Sequence, residues 1–185
     1  MIKATLEKVI NEDMAEIWSI LTPEEKRVVA DNLQIHNFKK NQLIYAEGET
    51  PEFLWCILKG KIKKTKEGVG GRVQILRLMR PVQYFGYRAY FANEPYVSSA
   101  LAFEPSTLGA IPLDLVNRLI HQNTDLAMFF IHELSRNLGG SNTKIVNLTQ
   151  KHIRGRLAEA LIVMLDNYGY EDDNSTLKIL SLIHI

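Results

Sequence analysis

The sequence predicts an α+β protein in which helices flank an antiparallel, all-β middle. Three observations carry that prediction. Apolar residues near both ends recur at helical spacing, residues 35–111 break into short runs of β-formers, and residues 123–150 hold one long helical seam. The expected divisions are 1–33 for N-terminal helices packing on the β domain, 34–111 for that domain, 112–150 for a short and a long helix, and 151–185 beyond a break.

At 185 residues the chain can hold one sizeable domain and an appendage. Its 46% hydrophobic and 23% charged content is ordinary for a globular protein. A net charge of +1 leaves nucleic acid undecided, because a basic patch can hide in a neutral total. A single cysteine, Cys56, excludes an internal disulfide framework and a four-cysteine iron–sulfur cluster within one chain. The longest apolar runs, 126–131 and 160–165, are too short to span a bilayer, and the charged N-terminus is no secretory signal. A cytoplasmic protein with no membrane partner is expected.

At the N-terminus Leu6, Val9, Ile10, Ile17 and Leu21 fall at helical spacing, interrupted around residues 11–13. Thr22-Pro23-Glu24-Glu25 starts a second helix, with Thr as N-cap, Pro at the first position and Glu at the third. Val28, Val29 and Leu33 form its apolar side. Strands are expected at 43–46, 53–58, 61–66, 72–79, 96–103 and 107–111, separated by turn signals such as Glu47-Gly48-Glu49, Lys59-Gly60 and Asn93-Glu94-Pro95. That spacing means a sandwich or a barrel rather than βαβ units. Lys59, Lys61 and Lys63 alternate onto one strand face, either solvated or in reach of phosphates.

Residues 113–121 read as a short amphipathic helix, and the long helix follows. Its a/d positions are Ala127, Ile131, Leu134, Leu138, Ser141, Ile145 and Leu148, apolar except for Ser141. Thr124 is the expected N-cap, and Met128, Phe129 and Phe130 widen the apolar surface toward the β domain. Burying the seam in a monomer needs a second long helix that the chain lacks, so it predicts a homodimer; an intramolecular core helix is the alternative. Gly139 and Gly140 cost the helix about 2 kcal/mol, which close approach of the β domain or a ligand, or a functional kink, would offset; a tolerated defect is the alternative. Residues 151–156, with Lys151, Arg154 and Arg156, read as a hinge. Leu157, Leu161, Met164, Leu165 and Tyr168 then line a further helix that stops at Gly169, and residues 176–179 are strand-like.

Phe38-Lys39-Lys40, Glu47-Gly48-Glu49, Leu58-Lys59-Gly60-Lys61-Ile62-Lys63, Gly71-Arg72, Ile75-Leu76 and Phe85-Gly86 follow one another at the spacing of a cyclic-nucleotide-binding β-roll. From about residue 20 onward the chain resembles bacterial transcription regulators of the catabolite activator/FNR type. The resemblance implies a double-stranded, jelly-roll-like antiparallel β-roll, a dimerisation helix and a winged helix-turn-helix. That last part is incomplete here, since the residues after Asp173 are too few to hold it. Promoter DNA and RNA polymerase are therefore expected as partners only through the full-length protein. Lys151, Arg154 and Arg156 would give this chain no more than salt-sensitive phosphate contact.

In the resembled family a cassette running from Phe-Gly-Glu to Pro-Arg-Ser/Thr-Ala holds the ribose through its Glu and the phosphate through its Arg. Here it reads Phe85-Gly86-Tyr87-Arg88, then Glu94-Pro95-Tyr96-Val97-Ser98-Ser99-Ala100. Tyr87 stands at the Glu position and Tyr96 at the Arg position, so both charged contacts are missing. Arg88, next to Tyr87 on an expected strand, should point to the opposite face unless a bulge turns it inward. The family's adenine-contacting pair falls on Ser141 and Asn142. The resemblance thus makes Phe85, Gly86, Tyr87, Arg88, Tyr96, Val97, Ser98, Ser99, Ser141 and Asn142 the candidate ligand site, for an unknown small-molecule effector other than cyclic AMP.

Binding of that effector would shift the dimer helices and so control DNA binding. The alternative is a β-roll dimerisation or interaction module that takes no ligand. An open cavity near Gly86 and Ser98 would favour the first, and packed phenol rings the second. Catalysis and a metal site are not expected: His36 stands alone in the β region, and His121, His132 and His152 are scattered. His36 and Cys56 are candidates for a haem ligand, against ordinary packed or surface roles.

Overall fold

A computed structural model describes residues 15–168. The expected helical spacing at Leu6, Val9 and Ile10, the stop at Gly169, the strand at 176–179 and the incomplete winged segment lie outside the described residues. The chain divides into two units, residues up to Ile131 and residues from His132 onward.

In the first unit α1 (Ala15–Ile20) and α2 (Pro23–Asn32) precede the strands. The start of α2 is the expected capping box. Thr22 Oγ1 accepts from the Glu25 amide at 3.3 Å, while the Thr22 amide donates to Glu25 Oε2 at 2.8 Å. Val29 is buried and Val28 is exposed, so the packing face is narrower than the spacing suggested.

Eight strands follow: β1 (Gln34–Phe38), β2 (Leu43–Tyr45), β3 (Phe53–Lys59), β4 (Ile62–Glu67), β5 (Val73–Met79), β6 (Tyr84–Phe85), β7 (Ser99–Ala102) and β8 (Ser106–Pro112). They form two antiparallel four-stranded sheets, β1-β8-β3-β6 and β2-β7-β4-β5, an eight-stranded roll. Tyr45, Trp55, Ile57, Ile62, Phe85, Tyr96 and Leu108 belong to its core. The middle of β3 is buried on both faces, which accounts for its unbroken apolar run: alternate residues Trp55 and Ile57 face the core, and Leu54 and Cys56 face away from it.

Between β6 and β7 the structure departs from the sequence reading. Residues 87–91 form a short helix, α3 (Tyr87–Phe91), where extended chain was expected. The strand expected at 96–103 shortens to β7, because residue 96 pairs instead with the loop at 48–49. The Gly48 amide donates to Tyr96 O at 2.8 Å, and the Tyr96 amide to Glu49 O at 2.9 Å.

The helices α4 (Leu113–Gln122) and α5 (Thr124–Gln150) follow β8. The residue capping α5 is Asn123 and not Thr124: Asn123 Oδ1 accepts from the Leu126 amide at 3.0 Å. Leu126 and Phe130 are buried, and Phe130 meets Tyr87 at 5.2 Å and Phe91 at 5.4 Å between ring centroids. Phe129 stands edge-on to Tyr84 at 5.7 Å. Aromatic residues at the start of α5 thus anchor it on the first unit, as their spacing suggested.

The second unit holds the remainder of α5 and α6 (Ile153–Tyr168). The helix runs unbroken through Gly139 and Gly140, and a Cβ at either would meet nothing within 4 Å. The expected hinge also contracts: only residues 151–152 lie outside helix, and Arg154 and Arg156 belong to α6. The amide of Arg156 already bonds back to His152 O at 3.0 Å, so the helical ladder begins there.

Candidate functional site

The candidate site is a recess in the roll, built where α3 interrupts the sheet. At Gly86 the backbone turns with φ +98°, and a Cβ there would stand 2.5 Å from the Phe53 carbonyl oxygen. Only glycine fits that turn. It starts α3, and helical spacing replaces strand alternation for the residues after it.

That substitution reverses two expectations. Tyr87 points away from the recess and is buried against Phe91 and Phe130. Arg88 does not face away; it lines the recess, with its guanidinium 2.6 Å from Glu94 Oε1.

The recess has a volume of about 10 Å³, and Tyr45, Lys64, Gly86, Arg88, Ala89, Tyr96, Val97 and Ser98 line it. Five of the ten candidate residues are therefore brought together: Gly86, Arg88, Tyr96, Val97 and Ser98. Phe85 belongs to the core, between Tyr45 at 6.0 Å and Trp55 at 6.4 Å. Ser99 caps a loop, its Oγ accepting from the Glu47 amide at 3.0 Å. Ser141 and Asn142 are exposed on α5 in the second unit, and Ser141 Oγ donates to its own helix at Asn137 O, 2.9 Å away.

Tyr96 is part of the core of the roll. Its ring stacks on Tyr45 at 3.7 Å and 13°, and both residues are buried. Burial pushes the Tyr96 phenol up to about 12; Trp55 donates a hydrogen bond that opposes the rise, and Glu49 and Glu52 add to it. Tyr45 rises further, again from burial first and then from Tyr96, with Arg88 opposing. Both rings are neutral phenols at physiological pH. A room of about 10 Å³ holds roughly one water.

Tyr45, Lys64 and Ala89 were not anticipated at the site. Lys64 was legible: it shares strand parity with the core residue Ile62, opposite to Lys61 and Lys63. Its ammonium is pushed down to about 8, mainly by burial, then by Arg88 and Arg77. Ala89 was hidden because α3 was read as strand.

Along α5 the seam is uncovered in the single chain. Ala127 and Leu134 are half-buried, but Ile131, Leu138 and Ile145 are 51%, 64% and 58% exposed. Among the described residues no group of three or more His, Cys, Asp or Glu could hold a metal ion, and no helix is long and apolar enough to cross a membrane. His36 packs edge-on to Trp55 at 5.5 Å, and Cys56 is buried in β3.

Residues 35–123, which take in the positive-φ glycine turn and the short helix beside the recess, match the cyclic nucleotide-binding domain family. The chain is 25% identical over 158 residues to a CRP-like cAMP-activated global transcriptional regulator of Mycobacterium tuberculosis, covering 85% of this chain and 70% of that protein. Among solved structures it is similar in fold to FixK2 of Bradyrhizobium japonicum, with TM-score 0.66 and 19% identity over 73% of this chain and 67% of that one. It is likewise similar to the catabolite activator protein of Thermus thermophilus, with TM-score 0.59 and 24% identity over 82% and 71% of the two chains. The chain is thus similar to CRP-like transcriptional regulators, and its residues 35–123 to the cyclic nucleotide-binding domain family.

Proposed function

We propose that this chain is the effector-sensing and dimerisation part of a Crp/Fnr-type regulator. Two copies pair along α5, and the state of the roll biases that pairing and hence DNA binding by the full-length protein, with promoter DNA and RNA polymerase as its partners in the cytoplasm. The exposed stripe at Ile131, Leu138 and Ile145 carries the reading. Each such side chain gains about 1.5–3 kcal/mol on burial, enough collectively to hold two helices together. Sedimentation at micromolar concentration should give a dimer, and the Leu134→Asp, Leu138→Asp variant a folded monomer. A monomeric wild type would refute the proposal.

The stacked Tyr45–Tyr96 pair favours a second reading, a roll that dimerises and takes no ligand. On either reading cyclic AMP is not the effector. The missing carboxylate and guanidinium each remove about 1.5–3 kcal/mol, or about two to four powers of ten in affinity if the losses add. Calorimetry should detect no low-micromolar binding of cyclic AMP; a clear low-micromolar isotherm would overturn that expectation. Native mass spectrometry of the protein from its own cells separates the two readings: retained mass supports a sensor, and bare dimer the ligand-free module.

A further inference from the structure

We propose that the recess between β2, β4 and α3 seats a small oxyanion, a carboxylate or a phosphate, with Lys64 as its main partner and Arg88 as its second. The proposal rests on the reading of the roll as the effector-receiving part of the chain. Lys64 lines the recess, and its ammonium makes no hydrogen bond or ion pair with any described residue. The groups facing it are Arg77 beside it on β5, Arg88 on α3 and the phenols of Tyr45 and Tyr96, with Ala100 beside it on β7. None of these is an anion. Glu47 is engaged by Lys66 and Glu94 by Arg88, both at 2.6 Å, so Arg88 meets the anion while already paired and Lys64 carries the main charge.

A second observation points the same way. Tyr45 is 4% exposed, lines the recess, and its buried hydroxyl has no hydrogen-bond partner. Buried polar groups are nearly always satisfied, so an orphaned donor beside an unpaired cation indicates a missing acceptor. Ser98, also buried, lines the same wall. The volume decides the size of the ligand. About 10 Å³ takes one oxygen-sized group, with the rest of the anion in the mouth beside exposed Val97.

Binding would offset the repulsion between Lys64 and Arg88, and it requires a charged Lys64. The ammonium titrates near 8 in the free chain, so affinity should fall as pH rises beyond that value. The test is calorimetry on the whole chain at constant ionic strength, with inorganic phosphate and succinate as separate probes, at about pH 7 and about pH 9.5. At least one probe should bind saturably at the lower pH and at least tenfold more weakly at the higher. Lys64→Gln should lose at least tenfold, whereas Lys64→Arg, which keeps the charge, should stay within a few-fold. Phosphate alone binding identifies a phosphate ligand, and succinate alone a carboxylate. Binding unchanged in Lys64→Gln, or no saturable binding of either probe, overturns the proposal. Sedimentation run alongside keeps the two readings apart: an intact dimer without anion binding defeats this inference only, and anion binding by a monomer defeats the dimer reading only.

Discussion

Gly86 and Gly48 make a controlled comparison at the scale of one residue. Both hold positive φ, +98° and +88°, but a Cβ at Gly48 would meet nothing within 4 Å, whereas one at Gly86 meets the Phe53 carbonyl oxygen at 2.5 Å. Gly48→Ala should therefore cost only backbone strain, about 1 kcal/mol. Gly86→Ala adds a clash with a backbone atom and should cost at least about 2 kcal/mol more. Urea unfolding of both variants checks this; equal losses would mean that β3 yields freely and that Gly86 does not set the turn.

At the scale of elements, one side chain joins three helices. Asn123 accepts from the Leu126 amide to cap α5, and its amide donates to Ile20 O at 3.2 Å and to Glu25 Oε2 at 2.8 Å. Burial alone would raise the Glu25 carboxyl, but bonds from the Thr22 backbone, the Asn123 amide and the Thr22 hydroxyl outweigh it and hold the pKa below the usual carboxylate value. Asn123→Ala should cost about 1–2 kcal/mol, read as a lower denaturation midpoint. The sign of the pH effect follows from the lowered value. Stability from Glu25 is present above the unfolded-state pKa and is lost as pH falls through the folded one. Glu25→Gln should accordingly be less stable than wild type near neutrality, with the gap closing below about pH 4. A gap that stays constant down to acid would show that the carboxylate charge is not what matters.

For the whole molecule, pairing along the exposed seam would make thermal stability depend on concentration. A dimer that forms only between folded chains is stabilised by mass action, so Tm should rise as wild-type protein is concentrated. The Leu134→Asp, Leu138→Asp variant should lose that dependence. Its roll should still unfold cooperatively by tryptophan fluorescence, because the core around Trp55 uses neither residue. A wild-type Tm independent of concentration would argue against pairing through α5.

Much of the molecule was legible in the sequence because it rests on local chemistry and periodicity. The capping box at Thr22, the β-formers punctuated by turns and the four-and-three spacing of Ile131, Leu134 and Leu138 each report their structure within a few residues. Even the inward lysine could be read from the parity of Lys64 with Ile62. The exchange at residues 87–88 could not. Whether Tyr87 or Arg88 enters the recess depends on α3, and α3 depends on the turn at Gly86 and on Phe91 and Phe130 receiving the Tyr87 ring. Asn123 likewise displaced Thr124 as cap because Ile20 and Glu25 hold its amide from about a hundred residues away. Local sequence determined the capped helix at Thr22, the punctuated strands and the long helix, but not α3. Which side chains meet in the recess was decided by tertiary packing, since their partners lie far along the chain and no local spacing encodes them.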